Sequence, residues 1–158
     1  MFRPMRRFKQ QLPEAECVEI LRSEPRGVLS LLGDDGYPYG LPMTHWYCPE
    51  DGHLYFHCAR EGHKLDALRA RDKASFCVLD RGVREPEGWA MHIRSVIVFG
   101  RIRVVEDPEK AERILRSLTA KFTPDPAYAE EELRRGADRV LCLELIPEHI
   151  TGKRVREA

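Results

Sequence analysis

The sequence has 158 residues, enough for one domain with a hydrophobic core, and we expect residues 1–158 to form a single domain. Its 26 Lys and Arg residues balance 26 Asp and Glu residues, and this zero net charge argues against a general binder of nucleic acid or anionic membranes. Five cysteines without a CxxC pair, no secretory signal and no bilayer-spanning apolar stretch predict a cytoplasmic protein with reduced thiols.

The first third of the chain is predicted to form a helix followed by an antiparallel hairpin. The helix is expected over residues 13–24 and the first strand over residues 27–32. The sequence Asp-Asp-Gly at 34–36 suits a hairpin turn with positive φ. The returning strand is expected over residues 37–47, and Pro42, which lacks an N–H group, places it at an edge of the sheet or at a bulge.

The middle of the chain contains a strand, a loop and a helix in quick succession. We expect the strand over residues 54–58 and the helix over residues 64–70, with a glycine-containing loop between them. A helix start leaves backbone N–H groups unpaired, and these donors together with His63 and Lys64 can form a binding site for a phosphate group. The segment therefore points to a phosphate-bearing cofactor.

The remaining strands complete a mainly β fold. Strands are predicted over residues 74–79, 91–105 and 140–146, with Pro147 ending the last one. Gly100 in the longest strand predicts the bend at which a small barrel curls. A helix capped by Asp107 and a shorter one over residues 126–135 lie at the margins. Six consecutive antiparallel strands with flanking α-helices favour a small β-barrel.

Several familiar chemical motifs are absent from the sequence. It contains no GxGxxG, phosphate-loop, GxSxG or HExxH motif, which argues against dinucleotide-fold enzymes, NTPases, lipase-like hydrolases and zincins. A cluster of possible zinc ligands lies close in sequence: Cys48, His53, His57, Cys58 and His63. Because neighbouring residues of a strand point to opposite faces, these side chains do not converge easily, and we expect no metal site.

The segment GLPMTHW at 40–46 could support a flat, mostly apolar heteroaromatic ring. A strand interrupted by Pro42 leaves main-chain groups free, Met43 could pack beneath a ring, and Thr44 could bond its polar edge. The same residues are equally typical of a plain edge strand when the segment is considered alone.

Five segments resemble the pyridoxamine 5'-phosphate oxidase-like FMN-binding split-barrel family, and within it the nitroimidazole-resistance branch. In chain order they read YPYGLPMTHWY, LYFHCAREGHKLDAL, ASFCVLD, RSVIVFGRIRVVED and HITGKR, and FHCA followed by GHK is the most specific of these signatures. The resemblance implies a six-stranded antiparallel split β-barrel that forms a homodimer with FMN between its subunits. It also implies an oxidoreductase that reduces a small acceptor such as a nitroaromatic compound, with NAD(P)H as a candidate electron donor.

The resemblance also implies which residues hold the flavin. Those along the ring are Leu41, Pro42, Met43 and Thr44, and those around the phosphate are His57, Cys58, Ala59, His63 and Lys64. Ser95 is expected to reach the flavin from the neighbouring subunit, while Thr151, Gly152 and Lys153 approach the ring from the C-terminal side. No catalytic residue is implied.

Two departures separate the chain from vitamin B6 oxidases. His63 stands where such oxidases have an arginine beside the lysine, and their basic C-terminal substrate segment is not evident. We therefore expect FMN binding without oxidation of vitamin B6. Two alternatives stay open: a flavin-binding module without turnover, and a haem-binding module in which a histidine ligates iron.

Overall fold

The computed structural model describes residues 1–157, which form one curled antiparallel sheet and four α-helices. The strands are β1 Arg26–Leu32, β2 Pro38–Thr44, β3 Trp46–Tyr47, β4 Leu54–Ala59, β5 Lys73–Leu79, β6 Val83–Arg84, β7 Met91–Val104 and β8 Val140–Glu157. The helices are α1 Glu14–Ser23, α2 His63–Ala70, α3 Pro108–Phe122 and α4 Pro126–Gly136. None of these helices is long and apolar enough to cross a membrane.

The sheet follows the order β2-β1-β5-β7-β8-β4-β3, and the short strand β6 pairs with β7. Since β3 follows β2 after a single residue, the two ends of the sheet are brought together, and β2 contacts β4 without pairing to it. The result is the predicted mainly β split barrel with flanking helices. Its six longer strands are those expected from the sequence, and β3 and β6 are two additional strands of two residues each.

Three local sequence signals are confirmed by the structure. β2 lies at the end of the sheet, as Pro42 predicted, since a residue without an N–H group is tolerated at an edge. The carboxylate of Asp107 accepts a hydrogen bond from the backbone N–H of Glu109 and caps α3, with Pro108 in the first turn. The hairpin turn also forms as expected, with positive φ at Asp35 and Gly36.

The predicted end of the last strand at Pro147 is wrong. β8 continues to Glu157 and pairs along the full length of β7. Pro147 lies opposite Gly100, where the register of the two strands shifts, so its missing N–H group interrupts a ladder that is already irregular. A Cβ atom at Gly100 would overlap the carbonyl oxygen of Ile146, and glycine is therefore required for this close approach.

The strand predicted over residues 37–47 is interrupted at His45. Its side chain is fully buried, and Nε2 donates a hydrogen bond to the carbonyl oxygen of Leu21, 2.7 Å away. Burial and the nearby Lys121 ammonium lower the pKa of His45 to about 3, so its ring is neutral. Lys121 in turn donates to the carbonyl oxygens of His45 and Glu24, which fastens α3 across the end of β2.

The two faces of the sheet differ in how they are covered. Inside the curl, side chains such as Phe56 and Phe76 pack with α1 and α2, and a smaller cluster around Tyr55 packs beneath α3. The outer face of β1, β5 and β7 keeps apolar side chains exposed, among them Val28 (44%), Leu79 (59%), Ile97 (39%) and Phe99 (41%). This exposed apolar surface, which we call the outer face, is unusual for a protein that remains monomeric.

The close approach at Gly100 gives a test of the fold. Gly100→Ala should lower the free energy of unfolding by about 2 kcal/mol or more, because the added methyl group forces the two strands apart. Urea denaturation measures the change. Gly136→Ala is a matched control, since a Cβ atom there meets nothing within 4 Å. Equal stability of Gly100→Ala and the native protein would contradict the close approach.

Candidate functional site

A cleft of about 440 Å³ opens on the outer side of the split between β2 and β4. Thr44 of β2, His57 of β4 and Arg26 of β1 line one wall. The opposite wall comes from α3 and α4, where Phe122 and Tyr128 contribute aromatic rings. A volume of this size, with mostly apolar walls and a few polar groups, is typical of a site for a small molecule or cofactor.

The imidazole of His57 faces this cleft as a neutral group. Partial burial, and then the positive charge of Lys64, lower its pKa below the usual value, which favours the neutral ring at pH 7. His57 can therefore donate or accept a hydrogen bond, but its neutral ring is not suited to act as an acid. Cys58 points to the inner face instead, where burial raises the pKa of its thiol.

Lys64 lies in the first turn of α2, and its ammonium group has no anionic partner within residues 1–157. Its Nζ atom lies 3.5 Å from the sulfur of Met43, a weak acceptor on β2. Gly62, with φ of 126°, precedes the helix and accepts hydrogen bonds from the N–H groups of Leu65 and Asp66. The N–H groups of His63 and Lys64, which precede these two bonds at the start of the helix, lie beside this unpaired cation.

His63 turns towards the β1–β2 hairpin. Its ring stacks on Tyr39 with centroids 4.2 Å apart, and Nε2 lies 3.6 Å from a carboxylate oxygen of Asp34. The imidazole is therefore held in place by an aromatic contact and by an exposed acidic group. A phosphate bound next to Lys64 would lie close to this histidine but would also approach the charge of Asp34.

The predicted site residues do not all share one face of the sheet. Leu41, Met43 and Cys58 point into the core, whereas Thr44 and His57 point to the cleft. Because residues two apart on a strand point to the same face, Pro42 lies on the outer side with Thr44, and Ala59 lies on the outer side with His57. Gly152 is buried beneath α1, where a Cβ atom would overlap the sulfur of Cys17.

Three other predicted residues lie on the outer side but far along the sheet. Thr44 of β2 pairs with Arg26 of β1. Ser95 lies on β7, three strands away from β2 across the sheet, and pairs with Lys153 of β8. At about 4.8 Å per strand, Ser95 lies about 14 Å from Thr44 along the sheet, and Lys153 lies one strand beyond it. Thr151 pairs with Ile97 in the adjacent row. These residues cannot line the cleft of their own chain, and their roles stay predictions.

Sequence reasoning missed Arg26, Phe122 and Tyr128 as residues of the cleft. Arg26 comes into the site through its pairing with Thr44, a register that the hairpin turn could have supplied. The two aromatic residues depend on how α3 and α4 pack against the open end of the sheet, and no local pattern encodes that packing.

The possible zinc ligands identified in the sequence do not converge. Cys48 donates to Glu50, His57 and Cys58 face opposite sides, and His63 stacks on Tyr39. A different group does come together: Asp51, His53 and Glu144. Its central carboxylate, Glu144, already forms ion pairs with Arg103 and Lys110, which leaves little negative charge for a metal ion.

Glu144 is the most densely bonded carboxylate of the sheet, although only 1% of it is exposed. It accepts hydrogen bonds from Lys110, His53, Arg103 and the hydroxyl of Tyr55, at 2.8 to 3.0 Å. Burial alone would raise the pKa of Glu144, but these hydrogen bonds outweigh it and lower the pKa to about 2. The network joins β4, β7 and β8 to α3, the helix that also contributes residues to the cleft.

Comparison with known proteins identifies relatives of this fold. A sequence profile described as Pyridoxamine 5'-phosphate oxidase matches residues 13–154. No curated protein matches the chain. A candidate 5-nitroimidazole antibiotic resistance protein from Bacteroides thetaiotaomicron has a TM-score of 0.76 and 21% identity, with 92% of this chain and 87% of that chain covered.

Two further solved structures are of flavin-binding proteins. An FAD-binding protein from Mesorhizobium loti has a TM-score of 0.65 and 25% identity over 92% of this chain and 97% of that chain. The FAD and haem binding protein from Mycobacterium smegmatis has a TM-score of 0.72 and 22% identity, over 91% of this chain and 72% of that chain.

The Glu144 network gives a prediction with a defined pH dependence. Glu144→Gln should lower the free energy of unfolding at pH 7 by about 3 kcal/mol, because it removes the charge that pairs two cations in a buried setting. The folded-state pKa is about 2 against an ordinary value of 4.5, so the native carboxylate's contribution is present above pH 4.5. It is lost as the pH falls towards 2.

Denaturation of the native protein and the variant between pH 7 and pH 2 measures this difference. The two stability curves should converge at the acid end. The control is Glu87→Gln, which replaces an exposed carboxylate. A stability difference that stays constant over this range would contradict the role given to the Glu144 charge.

Proposed function

Because the chain belongs to the pyridoxamine 5'-phosphate oxidase family, we propose that it binds FMN and reduces a small acceptor such as a nitroaromatic compound. The observation that carries this proposal is the unpaired ammonium of Lys64 in the first turn of α2, next to the split between β2 and β4. A half-buried cation without a carboxylate partner, together with free backbone N–H groups, is suited to a bound phosphate.

The position of Lys64 is electrostatically unfavourable unless an anion binds. A positive side chain in the first helical turn opposes the partial positive charge of the helix start. The sulfur of Met43 offers it only a weak acceptor at 3.5 Å. A phosphate would reverse the sign of this interaction and would bond both the ammonium and the N–H groups. This supports FMN, whose chain ends in a phosphate, over a cofactor without one.

The cleft suits a flavin ring. Its volume of about 440 Å³ lies within the range of cofactor pockets, and apolar side chains from α3 and α4 face Thr44 across it. When bound, a flavin supplies the hydride and electron transfer chemistry. The chain's own residues would hold the ring, exclude water and bond its polar edge. His57, as a neutral imidazole, would act as a hydrogen-bonding partner rather than as an acid.

Assembly as a homodimer is part of this proposal. The outer face keeps Val28, Leu79, Ile97 and Phe99 exposed, and burial of such a surface favours association. Ser95 lies about 14 Å along the sheet from Thr44, too far to reach a ring in the cleft of its own chain. A second copy packed on the outer face could bring Ser95 and Lys153 towards that ring.

The cysteines support a cytoplasmic location. All five are free thiols, and Cys17, Cys48, Cys58 and Cys142 are buried. Burial raises the pKa of Cys48 and Cys142 to about 11, so both stay protonated and unreactive at neutral pH. Unpaired thiols of this kind suit the reducing environment of the cytoplasm.

Haem binding is a second candidate, favoured by the neutral nitrogen atoms of His57 in the cleft. A neutral imidazole can ligate iron, and the related Mycobacterium smegmatis protein binds haem as well as FAD. The absorbance spectrum of the purified protein separates the two, since haem gives a Soret band and flavin does not.

The proposal predicts that the purified protein carries FMN and that Lys64 secures it. Lys64→Ala should raise the dissociation constant for FMN about 10- to 100-fold, the scale of a charge-assisted hydrogen bond left unmade. Fluorescence titration of flavin-free protein measures it, and mass spectrometry of the released cofactor identifies the flavin. The matched control is Lys73→Ala, an exposed lysine of β5.

Unchanged FMN affinity in Lys64→Ala would remove Lys64 from the site. Reduction of a nitroaromatic compound by the native protein with NAD(P)H would support the enzyme. A bound flavin that no pyridine nucleotide reduces would instead favour a binding module without turnover.

The dimer predicts a second variant effect. Ile97→Arg should convert the protein to monomers, because it places a charge at the centre of the apolar outer face, and the loss of Ser95 from the partner should also weaken FMN binding. Analytical ultracentrifugation measures the mass in solution. Ala70→Arg, at the exposed end of α2, is the control. A native protein that sediments as a monomer would contradict the proposed assembly.

A further inference from the structure

The cleft contains an arginine that has no acidic partner. Most arginines near the sheet are paired, as Arg94 is with Asp80 and Arg101 with Asp72. Arg26 lies at the start of β1, is exposed, and makes no ion pair within residues 1–157. A free guanidinium in a cleft carries five donors and a fixed charge, and it is well suited to a planar anionic group.

The partners of Arg26 in the cleft indicate what shape of ligand could bind there. Phe122 and Tyr128 line the same cleft from α3 and α4, and each is about half exposed, at 49% and 54%. Leu115 and Leu118 add aliphatic surface. Flat apolar walls beside a single guanidinium complement a molecule with an aromatic ring and an anionic group at one edge.

A carboxylate of the chain lines the cleft but does not neutralise Arg26. Glu132 of α4 lies on the opposite wall, beyond ion-pairing distance of the guanidinium. The negative charge of a ligand is therefore needed to complete the pair. Arg26 also lies directly opposite Thr44 in the β1–β2 ladder, so a ligand bound to it would be positioned beside the part of β2 proposed to hold the flavin ring.

From this arrangement we propose that the cleft selects, as acceptor substrates, planar nitroaromatic compounds that carry a carboxylate, in which the nitro group accepts the electrons and Arg26 binds the carboxylate through two parallel hydrogen bonds. This inference rests on the proposed function, since it names the substrate class of the same site. The aromatic ring packs against Phe122 and Tyr128, and the guanidinium fixes its orientation. Arg26 is a specificity-determining residue, because it discriminates charged from neutral aromatic compounds of the same shape.

The test compares two ligands that differ only in charge, 4-nitrobenzoate and its neutral isostere 4-nitrobenzamide. Isothermal titration calorimetry on the protein as purified measures both dissociation constants. Arg26→Gln should raise that of 4-nitrobenzoate on the order of 10- to 100-fold and leave that of 4-nitrobenzamide within about twofold. Arg26→Lys should give an intermediate loss, because it keeps the charge but not the planar fork.

Arg71→Gln is the matched control, since Arg71 is an exposed arginine outside the cleft, and it should leave both constants unchanged. Three results would overturn the inference: no binding of 4-nitrobenzoate to the native protein, an unchanged constant in Arg26→Gln, or equal weakening of both ligands. Flavin content, measured on the same samples, tests the proposed function separately. If the purified protein contains no flavin but still discriminates the two ligands, the result would support the role of Arg26 and contradict the proposed flavin binding.

Discussion

The contact between β7 and β8 at Gly100 is the constraint on which the shape of the sheet depends. The two longest strands shift register there, and the backbone at Ile146 comes so close that no side chain fits. A register shift bends the strands that carry it and increases their twist. Curling at this point brings β2, at one end of the sheet, beside β4, near the other. The split between them is the space in which the candidate site lies.

Local signals predicted most of the fold. The cap at Asp107, the turn at Asp35 and the edge position of Pro42 each follow from the backbone chemistry of a single residue, and all three are confirmed. Two local interpretations failed because a distant partner decided the outcome. Pro147 does not end β8, since Gly100 faces it across the register shift, and His45 interrupts a strand because its ring is buried under α1.

The candidate site was predictable where it is formed by neighbouring residues. Lys64 and the helix start that surrounds it lie within one strand-loop-helix segment, and the sequence predicted them together. Arg26 is remote in sequence from Thr44 and becomes its neighbour only through the hairpin register. Phe122 and Tyr128 reach the cleft only because α3 and α4 pack over the split. Residues of this second kind need tertiary structure before they can be identified.

The position of residues along the strands also limits which predicted site residues can reach the cleft of their own chain. The cleft holds Thr44 and His57, while Ser95 and Lys153 lie further along the same outer side. Thr44 and His57 therefore line the cleft of their own chain, whereas Ser95 and Lys153 lie outside it. This division links the exposed apolar surface to the completeness of the proposed flavin site.

A crystal structure of the protein grown with excess FMN tests the central claim most directly. The account predicts phosphate oxygen atoms about 3 Å from Nζ of Lys64 and from the first N–H groups of α2, with the flavin ring in the split beside Thr44. Flavin bound elsewhere, with Lys64 still resting on the sulfur of Met43, would contradict it.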